Sequence, residues 1–218
     1  LPIDGVLNYG HLINCAGLNA DLIAHKFNVG NKFSLMPFKG NYWRVKDKFQ
    51  LELNTNLYPV PDLNVPFLGV HFTPTADKNP VINIGPTATP AFGRENYNGL
   101  KGLEPLMSIR NLAILGSQLL INKGGFRKYV KEQSTLSIPN IFLKSAQELI
   151  PNIEMRHIEP SDKVGIRSQL YNSETNTLED DFLCLKGRNS THVLNSISPA
   201  FTASFALADL IIERSVIT

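Results

Sequence analysis

Two side chains in apolar, strand-like runs are candidates for binding and deprotonating a small acid. Arg167 ends the run GIR, and a guanidinium there can hold a carboxylate through a pair of parallel hydrogen bonds. His71 lies within LGVHFT, and an imidazole can accept a proton near neutral pH. Two simpler alternatives stay open: an outward-pointing strand arginine and a hydrogen-bonded core histidine.

A substrate with two carboxylates needs a second cation, and the run PFKGNY offers one candidate. Lys39 and Tyr42 flank a glycine in this run, and Arg94 is a further candidate. Each cation has another explanation, because Lys39 could be an exposed turn lysine and Arg94 could pair with Glu95 at the surface. Lys39, Tyr42 and Arg94 are therefore predicted substrate contacts, with these alternatives open.

The run from Gly187 to Ser204 predicts a short strand followed directly by an amphipathic helix. Ser198 fits an N-cap and Pro199 fits the first helical position, so the helix is expected to begin there. The first N–H groups of a helix lack partners within the helix and carry partial positive charge, so this start could bind an anion. A helix cap without any ligand explains the same residues.

Several function classes have no support in the sequence. The formal charge is only +2 and the basic residues are scattered, which argues against nucleic-acid binding. His11, His25 and His157 lack metal-type spacing, so no metal site is expected. No G-x-S-x-G, G-x-G-x-x-G or G-x-x-x-x-G-K-[ST] motif occurs. Cys15 and Cys184 are expected to be buried free thiols.

The sequence contains no segment that resembles a membrane span or a secretory signal. Its longest apolar stretch, 112–121, is short and is interrupted by Gly-Ser-Gln, and Leu1–Asp4 lacks the basic and apolar start of a signal peptide. A cytoplasmic location is expected, with peripheral membrane association as an alternative. The chain does not begin with methionine, which fits a fragment or a processed product.

The candidate residues must be positioned by an α+β fold of mixed type. A strand at 11–16 and a helix at 18–27 start an α/β unit, and β character returns late in the chain before a last helix at 199–214. Prolines punctuate the short strands between them, and 103–150 is helical. The other expected strands are 42–45, 57–60, 68–72, 81–84, 164–171, 181–185 and 192–195. The first helix is indicated by residues at turn spacing, which are Leu18, Leu22, Ile23 and Lys26. The helical stretch has one face formed by Leu106, Ile109, Leu112, Ala113, Gly116, Leu119 and Leu120. The last helix is expected to bury a stripe of Phe201, Phe205, Ala208 and Ile212.

Eight runs in order resemble the flavin-dependent L-2-hydroxyglutarate oxidase/dehydrogenase family, which belongs to the D-amino-acid-oxidase-like flavoproteins. The runs are INCAGLNAD, PFKGNYW, YPVPD, FLGVHFT, GPTATPAFGRENY, GIRSQL, DDFL and HVLNSISPAFTAS. The resemblance implies the C-terminal portion of an FAD enzyme, without its N-terminal FAD-binding half. It implies a β-rich substrate-binding lobe with helices at 36–172, flanked by remnants of an α/β FAD-binding domain at 1–35 and 173–218.

The resemblance also implies roles for particular residues. Arg167 would anchor the substrate carboxylate and His71 would take the hydroxyl proton while L-2-hydroxyglutarate, a small 2-hydroxy acid, becomes the 2-oxo acid. The residues implied to contact FAD are Asn14, Ala16 and Gly17 near its diphosphate, and Ser198, Pro199, Ala200, Phe201 and Thr202 beside its ring. This chain alone is expected to lack FAD and activity. An amine or amino-acid oxidase and a catalytically silent fragment stay open, and the electron acceptor is not indicated.

Overall fold

The computed structural model describes residues 5–49, 51–60, 69–122 and 126–215. The chain divides into two compact units, which we call unit 1 (Leu1–Met36 with Ser168–Thr218) and unit 2 (Pro37–Arg167). Strands β2 (Phe33–Val45) and β6 (Ile158–Asn172) each have residues in both units. The mixed α+β class predicted from the sequence is confirmed. The domain bounds and the cofactor and substrate roles given to them stay a prediction.

Unit 1 is built on a small mixed sheet. Its strands are β1 (Leu12–Asn14), β8 (Leu183–Gly187) and β9 (Ser190–Asn195), in the order β1-β9-β8. Strand β9 pairs in parallel with β1 and antiparallel with β8. A 3-10 turn at Gly17–Asn19 leads from β1 into α1 (Ala20–Lys26), and α5 (Ser204–Ser215) follows β9. Strand β7 (Thr177–Leu178) forms a hairpin with the end of β6.

The core of unit 1 forms where α1 packs beside the sheet. Its buried apolar side chains are Ala20, Ala24, Phe33, Leu170 and Leu194. The helix predicted at 18–27 exists, and the apolar residues that it buries are Ala20 and Ala24, while Leu22 is 46% exposed. Small residues fill this contact because the helix packs closely against β9 and β1.

Unit 2 is built on an antiparallel sheet, one of the two arrangements, mixed or antiparallel, that the proline-punctuated runs favour. Strand β4 (Ile82–Gly85) pairs with β3 (His71–Pro74) on one side and with β2 on the other, and β5 (Thr89–Pro90) also pairs with β2. The strand order continues from β2 to β6. The predicted run 42–45 is the end of a much longer strand, and the run 57–60 contributes an isolated bridge between Leu57 and Phe72. Part of the predicted run 68–72 lies outside the described residues.

Three helices complete unit 2: α2 (Pro105–Ile121), α3 (Phe126–Thr135) and α4 (Pro139–Gln147). Proline opens α2 and α4, where its missing N–H costs no hydrogen bond. Helix α4 packs on the sheet through Phe142 and Ala146, which join Phe72, Ile84 and Ile153 in the core. The helical character predicted for 103–150 is confirmed.

The apolar faces of two helices are exposed. The face of α2 that the spacing identified is exposed at Leu106, Ile109, Leu112 and Leu120. The last helix begins at Ser204 rather than near Pro199, and its expected buried stripe is exposed, with Phe201 at 93% and Phe205 at 89%. Periodicity identifies an apolar face correctly, but it does not identify what covers that face.

The cysteine prediction was correct only in part. Both thiols are free, but Cys15 is exposed and Cys184 is partly exposed, so neither is buried as expected. Cys15 follows the last residue of β1, where the chain leaves the sheet. An apolar run therefore predicted the strand correctly and its burial wrongly.

Candidate functional site

The two faces of the unit 2 sheet differ sharply in chemistry. Phe72 and Ile84 are register partners and both are fully buried in the core under α4. Trp43, paired with Ile84, stacks on Phe142 with ring centroids 5.6 Å apart. Side chains alternate between the faces of a strand, so the residues next to these project from the opposite face. That opposite face carries the candidate site.

His71 and Tyr42 lie on this opposite face with a glycine between them. His71 is paired with Gly85, and Tyr42 stands opposite Gly85 because its neighbour Trp43 is paired with Ile84. Gly85 has φ +140°, and a Cβ added there would come within 3.1 Å of the Tyr42 ring. The glycine is therefore needed for its backbone conformation, and it leaves a gap between the histidine and the tyrosine.

Strand β6 contributes two cations, Lys163 and Arg167, to the face that carries His71 and Tyr42. The Nζ atom of Lys163 lies 4.7 Å from the ring centroid of Tyr42, within cation–π range. Arg167 is four residues further along the same strand, so it projects from the same face as Lys163. The charge of Arg167 also reaches both Tyr42 and His71, where it shifts their pKa values. The structure thus brings the predicted residues His71, Tyr42 and Arg167 together.

The hydrogen bonding of His71 fixes which of its nitrogens can act as a base. Its Nδ1–H donates to the carbonyl oxygen of Gly69 at 2.9 Å, so the lone pair of a neutral ring is on Nε2. The ring of Tyr58 lies against it, with centroids 4.6 Å apart. Burial lowers the pKa of His71 below 6.5, and the charges of Arg167 and Lys163 lower it further, against an opposing effect of the Gly69 hydrogen bond. The imidazole is consequently neutral at physiological pH.

Tyr42 keeps its proton for a related reason. Burial raises the pKa of its phenol above 10.0, and Tyr58 adds to this, while Arg167 acts in the opposite direction. The phenol is therefore a hydrogen-bond donor at neutral pH. The face thus combines a neutral base, a neutral donor and two fixed positive charges, which suits an anionic ligand that carries a removable proton.

The other two predicted substrate contacts, Lys39 and Arg94, lie elsewhere in unit 2. Lys39 is three residues from Tyr42 on β2, so it projects from the opposite face, and its Nζ donates to Asn96 Oδ1 at 3.5 Å. Arg94 is buried beside Glu104, with Nε to Oε2 at 3.9 Å, and its backbone N–H donates to Glu104 Oε1 at 2.8 Å. The alternatives were also wrong: Lys39 is partly buried in a strand, and Arg94 is buried beside Glu104 rather than paired at the surface.

Unit 1 places two of the predicted cofactor segments at one edge of its sheet. Because β1 and β9 are parallel, the chain leaves both strands at the same edge, at Cys15 and after Asn195. Open α/β sheets bind ligands outside the carboxyl ends of parallel strands. Gly17, at φ +54°, has open space where a Cβ would stand, so its backbone is accessible to a ligand. These features fit one edge of an FAD site.

Asn14 holds this edge in shape. It is buried, and its Nδ2 donates to the carbonyl oxygen of Ala20 at 2.8 Å and to Nδ1 of His192 at 3.0 Å. Its Oδ1 accepts the N–H of Ala16 at 3.2 Å. His192 in turn donates from Nε2 to Ser190 Oγ at 3.0 Å, and burial together with His11 lowers its pKa below 6.5. Asn14 and His192 therefore brace the turn.

The segment Ser198–Thr202 is a run of turns rather than the start of a helix. The N–H of Ala200 donates to Ile197 at 2.8 Å, and Thr202 Oγ1 donates to the carbonyl of Pro199 at 3.0 Å. The prediction of Ser198 as N-cap was wrong, because α5 begins at Ser204. Local hydrogen bonds of the kind that Thr202 makes to Pro199 favour turns, and they compete here with an earlier start of the helix. A contact between this segment and a flavin stays a prediction.

Sequence reasoning missed two members of the unit 2 face. Lys163 could have been found, because its spacing of four residues from Arg167 on one strand places both on one face. Tyr58 carried no such signal. It reaches His71 because the adjacent Leu57 pairs with Phe72 through two backbone hydrogen bonds of 2.9 Å.

The described residues contain neither a metal-binding cluster nor a membrane-spanning helix. Across 5–49, 51–60, 69–122 and 126–215, no group of three or more His, Cys, Asp or Glu side chains is placed to hold a metal ion. Among the helices of the same residues, none is long and apolar enough to cross a membrane.

Comparison with known proteins matches the chain to one family. The family model described as DAO, FAD dependent oxidoreductase, matches residues 3–214. Proteins named L-2-hydroxyglutarate dehydrogenase are similar: that of Indibacter alkaliphilus is 34% identical (93% of this chain, 49% of the relative), and the mitochondrial one of Caenorhabditis elegans is 33% identical (94% and 47%). That of Escherichia coli K12 is 30% identical (93% and 47%), so the chain spans about half the length of these relatives. The chain belongs to the DAO family of FAD-dependent oxidoreductases.

Proposed function

We propose that the protein containing this chain is an FAD-dependent enzyme that oxidises a small 2-hydroxy acid, L-2-hydroxyglutarate, to the corresponding 2-oxo acid. The observation that carries this proposal is the unit 2 face, where a neutral imidazole shares a sheet surface with two cations. Relatives named for this reaction match nearly the whole chain. The whole enzyme is required for the reaction because this chain spans only about half of those relatives.

The two cations suit a substrate with two carboxylates. Arg167 would hold the carboxylate next to the reacting carbon, since its planar guanidinium can donate two parallel hydrogen bonds. Lys163 would attract the second carboxylate as a point charge. This assigns to Lys163 the role that the sequence suggested for Lys39, whose Nζ donates to Asn96 on the other face of β2.

His71 would remove the hydroxyl proton. Nε2 is the nitrogen left with a lone pair, and the depressed pKa keeps it unprotonated at the pH of the reaction. Positive charges beside the base would also stabilise the alkoxide character that develops as the proton leaves. Tyr42 would donate a hydrogen bond to the substrate from its protonated phenol.

When bound, FAD supplies the acceptor for the hydride that leaves the α-carbon. In this chain, Ala16, Gly17 and the turns at 198–202 would contribute backbone groups to its site, with Asn14 bracing the first turn. The chain has no glycine-rich phosphate loop of its own. We therefore expect the isolated chain to purify without FAD and to be colourless, and a yellow sample with flavin absorbance would contradict this.

The experiment that tests the proposed function is a dye-reduction assay on the FAD-loaded enzyme that contains this chain, with 2-hydroxy acids and amino acids as substrates. The proposal predicts turnover of L-2-hydroxyglutarate and little turnover of L-glutamate, which has the same carbon skeleton with an amine. Preference for L-glutamate would instead indicate an amino-acid oxidase. For that enzyme, a cytoplasmic location stays a prediction, with peripheral membrane association as its alternative. The electron acceptor is not indicated.

A further inference from the structure

Residues 57–59 lie antiparallel to the strand that carries His71. Leu57 and Phe72 exchange two backbone hydrogen bonds of 2.9 Å, and Leu57 packs against the core of unit 2. This bridge places the next residue, Tyr58, beside His71, with ring centroids 4.6 Å apart and ring planes 35° from parallel. The 57–59 segment is thus anchored in the core by its first residue, and the anchor brings an aromatic ring onto the imidazole.

The third residue of the segment contacts the residue that accepts the imidazole proton. Pro59 lies so close to Gly69 that a Cβ added to the glycine would come within 3.1 Å of Pro59 Cγ. The carbonyl oxygen of Gly69 accepts the Nδ1–H of His71 at 2.9 Å. Because the ring of proline fixes its φ, Pro59 offers a rigid surface at this contact. The 57–59 segment therefore touches both the ring of His71 and the group that fixes its tautomer.

The imidazole that this segment contacts is nearly enclosed. His71 is 9% exposed whereas Tyr58 is 45% exposed, so the tyrosine ring shields the imidazole from water. The charged and titratable groups that face His71 are Tyr58 itself, Tyr42 from β2, and Lys163 and Arg167 from β6. Burial lowers the pKa of His71 more than either cation does, so this pKa depends on the cover that Tyr58 provides.

We propose that Tyr58 and Pro59 are positioning residues, which fix the ring of His71 and the carbonyl of Gly69 so that the lone pair of Nε2 points at the substrate hydroxyl. Stacking suits this role, because it contacts the face of the ring and leaves the in-plane lone pair free. A base must lie within hydrogen-bond reach of the proton that it removes, and small errors of position lower the rate. The role of His71 as the base rests on the proposed function, whereas the contacts do not.

The kinetic test compares variants of the FAD-loaded enzyme with L-2-hydroxyglutarate as substrate. Tyr58→Ala should lower kcat about 10- to 100-fold with KM within about twofold, because the base is misplaced while Arg167 still holds the carboxylate. The acidic limb of its kcat/KM profile should move to higher pH, since a less buried imidazole is easier to protonate. Tyr58→Phe keeps the stacked ring and should retain near-normal kcat. The matched control is Tyr97→Ala, which removes another exposed tyrosine of unit 2 and should leave kcat unchanged.

A spectroscopic measurement tests the positioning role independently of turnover. Nitrogen NMR of the enzyme with isotope-labelled histidine reports the tautomer and pKa of His71, whose signals are assigned by their absence in His71→Asn. The neutral ring should carry its proton on Nδ1 alone in the unaltered enzyme, and Tyr58→Ala and Pro59→Ala should each show a mixture of both tautomers. A mixture already in the unaltered enzyme, or an unchanged tautomer, pKa and kcat in Tyr58→Ala, would overturn the proposal. A mixture in Tyr58→Ala without a loss of kcat would support the positioning of the ring and contradict the proposed function of His71 as the base.

Discussion

The two candidate regions of this protein differ in what their residues supply. On the unit 2 face, side chains are the proposed reactive and binding groups: His71, Tyr42, Lys163 and Arg167 come from strands whose other face is a packed core. At the unit 1 edge, the backbone is the candidate ligand-binding group, and buried side chains such as Asn14 shape it. The apolar residues that follow this edge, Phe201 and Phe205, are almost fully exposed.

Because of this difference, the unit 2 face restricts the class of ligand more narrowly than the unit 1 edge does. The unit 2 face has two positive charges, one hydrogen-bonded tautomer of His71 and one proton donor, and these features support the substrate class that we propose. The unit 1 edge fits an anionic or nucleotide ligand of many kinds. The comparison therefore predicts that changes in unit 2 alter stability and specificity, while matched changes at exposed positions of unit 1 have small effects on the chain itself.

The largest expected effect is on stability. Phe142→Ala should lower the free energy of unfolding by about 3–5 kcal/mol, because Phe142 is fully buried between α4 and the sheet. Phe205→Ala should change it by about 0.5 kcal/mol or less, since Phe205 is exposed. Urea unfolding followed by circular dichroism measures both. Equal losses in the two variants would show that α5 is packed and that the contrast between the regions is wrong.

The next largest effect is on substrate binding. Arg167→Ala in the FAD-loaded enzyme should lower kcat/KM for L-2-hydroxyglutarate about 10²- to 10³-fold, because a bidentate contact to a carboxylate is lost. The control is Arg156→Ala, an exposed arginine paired with Glu154, which should leave kcat/KM within about twofold. Steady-state dye reduction provides the values. Comparable losses in both variants would argue against a carboxylate site at Arg167.

A smaller effect is expected on specificity. Lys163→Gln should reduce the preference for L-2-hydroxyglutarate over L-2-hydroxybutyrate, which lacks the second carboxylate, by about tenfold. Lys39→Gln should leave the preference unchanged, because Lys39 projects from the other face of β2 and donates to Asn96. The ratio of kcat/KM values for the two acids measures this preference. If Lys39→Gln changes it and Lys163→Gln does not, the original sequence prediction was the correct one.

The smallest effect is on pH dependence. Activity should be lost as the pH falls and the imidazole of His71 becomes protonated. The midpoint of this acidic limb of kcat/KM should lie below pH 6.5, because burial and the charges of Arg167 and Lys163 lower the pKa of His71. Lys163→Gln removes one of those charges, so His71 becomes easier to protonate and the limb should move to higher pH. Profiles of kcat/KM against pH for both enzymes, recorded at high and low salt, would show this shift. A move of the acidic limb to lower pH in Lys163→Gln would contradict the assignment of His71 as the base.

Much of the architecture could be predicted from the sequence because local patterns determine it. The strand at 81–84, the helices within 103–150 and the proline at the start of α4 all follow from spacing and turn chemistry. His71 and Arg167 could be singled out because charged or titratable groups within apolar runs are unusual. None of these inferences needed contacts between distant parts of the chain.

The remaining features depend on long-range pairing, which a single sequence does not contain. The face of β2 that carries Tyr42 became clear only from its register with β4, and this register separates Lys39 from the site. Tyr58 reaches His71 through one bridge between distant residues. The apolar stripes of α2 and α5 follow from the spacing, but spacing alone does not show that both stripes are exposed.

The most direct test of the central claim, that neutral His71 takes the proton of a 2-hydroxy acid, is kcat of His71→Ala in the FAD-loaded enzyme. The claim predicts a loss of about 10²- to 10⁴-fold with L-2-hydroxyglutarate, with KM little changed, because the base acts in the transition state while Arg167 and Lys163 still hold the carboxylates. A variant that retains near-normal kcat with the hydroxy acid would contradict the claim.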